Sequence, residues 1–417
     1  MSIRMMLCCL MGTVACTVQA ENWNRFRGPE GNGHTSAVGL PVTWSSTENV
    51  AWKAADIGEG WSSPVVWEDR IYLTAARPIP GGEMNERNLS VLCLEAASGN
   101  KIWEQLLFEE TKEISQRIHP KNSHASPTPI VDGSHLWAHF GTHGTACVAL
   151  DGSIVWKRND ITYKMQHGNG GSPVIVDDIL FFSCDGSERA FVIALDKMTG
   201  KTRWEKDRPP VTNPRKFSFT TPTVIEIEGQ KQILSQGSDI ITAFDPNTGE
   251  ELWWFNYDGY SVIPKPIYDH GLVYVCTSYN ESKLHAVDPR GRGDLTATGE
   301  AWKHPKNIPH TPSLITVGDE LYAVSDRGIA TCFDAKTGKV HWEKRIEGNY
   351  SASPIASEGK IYFLAEDGTA TVIQAGTEYK ELAKNKLGER TLASFAVIGD
   401  DLLIRTAEHL YRVGSRK

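Results

Sequence analysis

Beyond residue 20 the chain has no long apolar run, no adjacent cysteines and no long basic stretch. Each absence excludes something. A membrane-spanning helix needs roughly twenty consecutive apolar residues, and no segment after residue 20 supplies them. With 51 acidic against 43 basic side chains and a net charge of −8, binding to a nucleic-acid backbone has no electrostatic support. Motifs of catalysis are also missing. Gly168-Asn-Gly-Gly171 is not followed by Gly-Lys-Ser/Thr and is no phosphate loop. Gly291-Arg-Gly293 lies in a turn without a dinucleotide-binding context, and no Gly-x-Ser-x-Gly elbow or His-Glu-x-x-His helix occurs. The acidic pairs Glu109-Glu110 and Asp177-Asp178 read as solvated turns.

The first twenty residues differ from the rest. Arg4 is the only charge before Glu21, and an apolar stretch from Met5 to Val18 leads to Val18-Gln19-Ala20. This pattern is expected of a secretory signal cut after Ala20, which places the mature chain in the periplasm or outside the cell. An alternative reads Thr13-Val14-Ala15-Cys16 as a lipoprotein site, with a lipid anchor on Cys16. Eight cysteines are present, three of them (Cys8, Cys9 and Cys16) within this segment. The other five, Cys93, Cys147, Cys184, Cys276 and Cys332, each fall in an apolar strand. An odd number without close pairing is expected to be buried small hydrophobes, not a disulfide framework.

What the chain does have is a repeat. Trp52, Trp103, Trp156, Trp204, Trp253, Trp302 and Trp342 follow one another at intervals of 51, 53, 48, 49, 49 and 40 residues. Several close one phrase, as in Ala194-Leu-Asp-Lys-Met-Thr-Gly200-Lys-Thr-Arg-Trp204 and Ala243-Phe-Asp-Pro-Asn-Thr-Gly249-Glu-Glu-Leu-Trp253. Each unit opens on a short apolar strand after a proline: Ser63-Pro64, Thr128-Pro129, Ser172-Pro173, Thr221-Pro222, Lys265-Pro266, Thr311-Pro312 and Ser353-Pro354. Two more apolar strands follow, and a Thr-Gly turn leads into the tryptophan strand. Four short antiparallel strands joined by tight turns make one propeller blade. Proline is tolerated at a strand's first residue because it need not donate to the ladder. An eighth, degraded unit runs through Leu392, Leu402 and Tyr411 and lacks its last strand. Asn49-Val-Ala-Trp52-Lys supplies that strand from the other end. The expected fold is therefore all-β: an eight-bladed propeller of four-stranded blades over residues 50–417, closed by an N-terminal strand, with residues 21–49 as a lead. Blade seven has Leu382 where the tryptophan belongs.

The Ala-x-Asp-x-x-x-Gly-x-x-x-Trp phrase resembles the repeat of the pyrroloquinoline-quinone (PQQ)-type eight-bladed propellers, over roughly residues 50–417. That superfamily includes quinoprotein alcohol dehydrogenases and the non-catalytic BamB-like outer-membrane assembly proteins. The lead, Trp23-Asn-Arg-Phe-Arg-Gly28-Pro29 followed by Gly39-Leu-Pro-Val-Thr-Trp44, is similar to an exported subgroup of planctomycete type. For a quinoprotein the resemblance implies an adjacent cysteine pair over the cofactor and Glu, Asn and Asp around calcium. The only adjacent cysteines here, Cys8-Cys9, lie in the signal, and no position matches the calcium ligands or the base. The resemblance thus points to a non-catalytic binding or scaffold propeller with a protein or cell-envelope partner and no cofactor. A PQQ-dependent oxidoreductase with a divalent metal is the alternative, and a carbohydrate-binding propeller a second.

Propeller topology puts the connections between blades on the same face as the turns between second and third strands, and loops on a rigid scaffold are the usual place for binding residues. Six of the thirteen histidines fall between His119 and His167. His119, Asn122 and His124 precede blade two, His143 sits in that blade's second-to-third turn, and His167 and Asn169 precede blade three. All are expected on one face, and the four histidines are candidate transition-metal ligands. The same face should carry Glu59 and Trp61 before blade one; Asn213, Arg215 and Lys216 before blade four; Tyr257, Tyr260 and Lys265 before blade five; His310 before blade six; and Asn349 and Tyr350 before blade seven. Aromatic and polar groups around such a funnel suit a sugar, a peptide or a partner's loop.

Overall fold

The computed structural model describes residues 21–111, 118–210, 213–279 and 281–414. The expected signal and the Cys16 anchor site lie outside them. Among the described residues the strands form eight sheets of four antiparallel strands, one of them extended by a short fifth strand, arranged as an eight-bladed propeller. Blade one shows the plan: Val65–Trp67, Arg70–Pro78, Arg87–Glu95 and Lys101–Glu110, in that order from the channel outward. Blade eight has Ala396–Ile398, Asp401–Arg405 and Leu410–Val413 from the C-terminal end, and Val50–Ala54 as its fourth strand. Val50 pairs with Val413, Trp52 with Arg412 and Ala54 with Leu410. This N-terminal strand completes blade eight and closes the ring by joining the two ends of the chain in one sheet.

Each tryptophan joins its blade to the next. In the fourth strands a one-residue bulge precedes the tryptophan, as between Ala194 and Leu195 opposite Trp204 and Thr202. The indole then lies on the glycine of the turn between the neighbouring blade's third and fourth strands. Ideal Cβ atoms built on Gly99, Gly152, Gly200, Gly249 and Gly338 would come within 2.7, 3.1, 2.8, 2.6 and 2.5 Å of Trp52, Trp103, Trp156, Trp204 and Trp302. Indole nitrogens donate to carbonyls of those turns: Trp52 to Ala96 at 2.9 Å, Trp103 to Leu150 at 3.1 Å, Trp342 to Gly376 at 3.0 Å. Glycine is thus required twice, by a positive φ and by the ring pressed against it. Trp253 departs from the pattern. Blade five replaces the short turn with a longer excursion, whose Gly293–Asp294 pairs in parallel with Trp253 and Trp254. Trp253 is fully buried and donates to Gln232 Oε1 instead.

Two sequence assignments shift by register. In blade seven Ala383 faces Val372, as Trp204 faces Ala194, and Leu382 occupies the bulge. The tryptophan position is therefore Ala383. In blade six Thr311-Pro312 lies two residues too early: the strand begins at Ile315, and Ser313 is the equivalent of Ser63. All five described cysteines are free and buried.

Ser and Thr at this innermost position form a ring. The Ser63 amide donates to Thr128 Oγ1 at 3.0 Å, Thr128 to Ser172 Oγ at 2.9 Å and Ser172 to Thr221 Oγ1 at 3.0 Å. Beyond a break at blade five, Lys265 donates to Ser313 Oγ, Ser313 to Ser353 Oγ and Ser353 to Ser394 Oγ, at 3.0, 3.0 and 2.8 Å. These bonds satisfy backbone donors that face a channel with no further strand. The lead covers the inner edges below the ring. Val66 and Val131 donate to the Trp23 and Asn24 carbonyls at 2.8 and 3.0 Å, and Ala356 donates to Gly33 at 2.9 Å. Trp23, Leu40 and Trp44 are buried in the same core as blades one, seven and eight.

Candidate functional site

The hydroxyl ring and the lead close the channel from below, and a funnel opens above them. Its cavity is about 910 Å³ and is lined from all eight blades, with Phe26 of the lead at its floor. This is the face of the inter-blade connections. Trp61, His119, Asn122, His167, Tyr260 and His310 all line it, as the topology predicts.

One wall is aromatic. His119 and His167 meet at 5.4 Å between ring centroids, His167 and Phe217 at 5.8 Å, Phe217 and Tyr260 at 5.9 Å, Tyr260 and Tyr279 at 5.8 Å, and Tyr279 and His310 at 5.5 Å. Phe219 joins Phe217 at 5.9 Å. The series runs unbroken from blade two to blade six. Most contacts are edge-to-face, the geometry that ring quadrupoles favour, so the rings support one another in a continuous wall. The Arg215 guanidinium lies over Tyr260 at 4.7 Å. Burial, and then the neighbouring His119, lower the His167 pKa and favour its neutral imidazole.

The other wall is polar, and a strap of residues 118–126 crosses toward it. Lys121 Nζ reaches Glu366 of blade seven at 2.8 Å and Asp326 of blade six at 3.8 Å. Arg390 of blade eight donates to the Pro120 carbonyl at 2.6 Å and lies over Trp61 at 5.5 Å. Asn122 holds the strap's near end, donating from Nδ2 to the His167 carbonyl at 3.0 Å. Asp326 also accepts from the His310 amide at 2.7 Å and from Thr311 Oγ1 at 2.7 Å.

Other candidates lie elsewhere. His124 and His143 turn inward onto Glu110: His124 Nδ1 is 2.7 Å from Oε2 and His143 Nε2 is 3.5 Å from Oε1. Glu110 is fully buried, so the reading of Glu109-Glu110 as a solvated turn fails for it, whereas Asp177-Asp178 is exposed. Burial lowers the His143 pKa, with Glu110 opposing the shift and His124 reinforcing it. The four histidines therefore form two pairs, one facing the funnel and one buried. Among the described residues, only Glu389, Glu408 and His409 bring three potential metal-ligand atoms within 4.8 Å of one another, and Glu389 already holds Lys53 Nζ at 2.9 Å. Asn169 packs behind the wall against Gly141, and Tyr350 is buried with its hydroxyl on the Glu347 carbonyl at 2.6 Å. Lys216 lines a separate, smaller cleft. Glu59 pairs with Arg87 at 3.0 Å, Asn213 caps the Arg215 amide at 3.0 Å, and Tyr257 is half-buried with its hydroxyl on Gly237. Phe26, Phe217, Phe219, Tyr279, Lys121 and Asp326 were not legible as site residues. The recurrent Ser/Thr before each strand was a usable signal for the hydroxyl ring.

The donor set does not fit a quinone with calcium. Among the described residues no cysteine lines the funnel, and Asp326, the one carboxylate among those lining it, is engaged by His310, Thr311 and Lys121. The sequence matches the family described as outer membrane protein assembly factor BamB, over residues 35–291 and 280–403. No curated protein matches it. Among solved structures, BamB from Moraxella catarrhalis is 14% identical with a TM-score of 0.56, covering 86% of this chain and 98% of that one. The computationally designed Ika8 protein is 10% identical with a TM-score of 0.55, covering 90% and 100%. A quinohemoprotein alcohol dehydrogenase from Pseudomonas putida HK5 is 14% identical with a TM-score of 0.45, covering 91% and 82%.

Proposed function

We propose, from the premise that the chain belongs to the outer membrane protein assembly factor BamB family, that it is an exported, non-catalytic binding propeller of the cell envelope whose funnel face receives a protein partner. The observation that carries this reading is the continuous aromatic wall from His119 to His310. It concentrates Phe, Tyr and His side chains in a concave site, and Arg215 is stacked on it. Aromatic and Arg side chains in a partly desolvated centre are the usual anchors of protein interfaces. A loop from a partner, inserted into the funnel, would meet rings on one side and hydroxyls with Asp326 on the other.

The same wall favours one second reading, a saccharide, because rings beside hydroxyl donors and acceptors suit a polar, ring-shaped ligand. Purification of the mature protein separates the readings. Co-purification of an envelope protein that Phe217→Ala abolishes supports the first. Retention on a glycan array with no protein partner supports the second. Stoichiometric quinone uptake with dye reduction overturns both.

A further inference from the structure

We propose that the base of the channel, beneath the funnel floor, is an anion site in which Lys265, Arg27 and Arg25 hold a monatomic anion of the halide class. Lys265 is the exception in the hydroxyl ring. Its blade places a lysine where seven others place Ser or Thr, and the side chain runs inward to the lead, where Nζ donates to the Gly31 carbonyl at 2.7 Å. Arg27 comes from the lead itself and is 1% exposed. Its Nη2 donates to the Asn32 and Leu314 carbonyls, both at 2.7 Å. The carbonyls of consecutive residues 31 and 32 thus hold the ammonium and the guanidinium close together.

What these cations lack points to the ligand. Arg27 Nε and Nη1 and Arg25 Nε are buried with no hydrogen-bond partner among the described residues. Among the described residues no carboxylate forms an ion pair with Arg25, Arg27 or Lys265; Glu30 acts on Arg25 only at longer range. An arginine cannot shed its proton in a protein, so Arg27 stays charged. Buried charge without a counter-charge is strongly unfavourable. The strain is visible in the neighbours: burial, then Arg27 and Arg25, push the Lys265 ammonium well below its ordinary range, and burial lowers Arg27 to about 9. A bound anion supplies the missing acceptor and reverses both effects. The space is small. Cβ atoms built on Gly31 and Gly33 would come within 2.5 Å of Lys265 Nζ and 2.7 Å of Arg27 Nη2. Backbone of the lead thus lies against both groups, and a halide is the anion that asks for the least room beside them. Arg25 and Arg27 flank Phe26, so the anion would also fix the funnel's floor.

The test is thermal unfolding of the purified protein in sodium gluconate, with chloride or bromide replacing gluconate at constant ionic strength. The melting temperature should rise with the logarithm of halide concentration, as ligand linkage requires. Bromide-soaked crystals should show an anomalous peak between Arg27 and Lys265. Lys265→Met should weaken the halide dependence by roughly tenfold, while Lys265→Arg retains it. Equal melting in gluconate and halide with no bromide peak would overturn the site. So would an undiminished halide effect in a folded Lys265→Met protein, since that would be a general salt effect.

Discussion

The indole of Trp52, in the strand that closes the ring, lies on Gly99 in the turn of blade one and donates to the Ala96 carbonyl at 2.9 Å. One residue therefore takes part in both closures. Its backbone zips the N-terminal strand onto blade eight, and its ring docks that blade against the first. Gly99→Ala would place a methyl 2.7 Å from the ring at a φ of 74°. Gly271 has nearly the same φ, 75°, with no atom within 4 Å of a Cβ. Gly271→Ala is expected to cost about 1 kcal/mol from backbone strain alone. Gly99→Ala should cost about 2–4 kcal/mol, since overpacking adds to the strain. Chemical denaturation of the two variants isolates the indole contact.

A buried arginine reinforces the same junction. Arg405 of blade eight is fully buried and reaches blade one, donating to Ser62 Oγ at 2.6 Å, Thr74 O at 3.0 Å and Gly58 O at 3.3 Å. Arg405→Ala leaves these acceptors without their charged donor. The expected loss is about 3 kcal/mol, read as a lower denaturation midpoint. Hydrogen exchange should quicken first in Leu410–Val413 and Val50–Ala54.

Acid should loosen the closing strand within blade eight as well. Glu389 accepts from Lys53, Thr406, His409 and Tyr411. Burial raises its pKa, but these four partners outweigh burial and hold it at about 2, below the ordinary 4.5. Because the folded value is depressed, the stabilisation is complete above about pH 4.5. It is lost as pH falls through about 2. Glu389→Gln should flatten this part of the stability profile and leave the slope above pH 5 unchanged, as measured by denaturation at stepped pH.

The architecture was legible because it repeats. The Ala194-to-Trp204 phrase encodes a strand, a positive-φ glycine and a docking indole, and each recurrence strengthens the reading. Where the repeat is worn, the reading slips by one or two residues. Nothing in Glu378-Tyr-Lys-Glu-Leu382-Ala383 marks the bulge, so the tryptophan position fell on Leu382. The funnel was half legible. Chain topology assigns a loop to a face, and this found His119, His167, Tyr260 and His310. It does not decide which way a side chain turns within a loop, so it assigns His124 and His143 to the funnel face although they turn onto Glu110. Phe26 is not legible in the sequence because its place depends on a long-range packing of the lead that no local pattern carries.

The aromatic wall makes a separate prediction. Phe217 touches His167, Phe219 and Tyr260 and stands at the centre of the series. If the wall anchors the partner, Phe217→Ala should cost about 2 kcal/mol of binding, roughly thirtyfold in affinity. Lys216→Ala, in the separate cleft, should leave affinity unchanged. Titration calorimetry with the co-purified partner measures both.

The most direct test of the functional account is site-specific photo-crosslinking in the living envelope. A crosslinker at His310 reports on the funnel face, and one at Lys336, in the Thr-Gly turn of blade six, on the opposite face. The account predicts a discrete protein adduct from position 310 and none from 336. Adducts from 336 alone, or none from either position in a protein that takes up quinone and reduces dye, would contradict it.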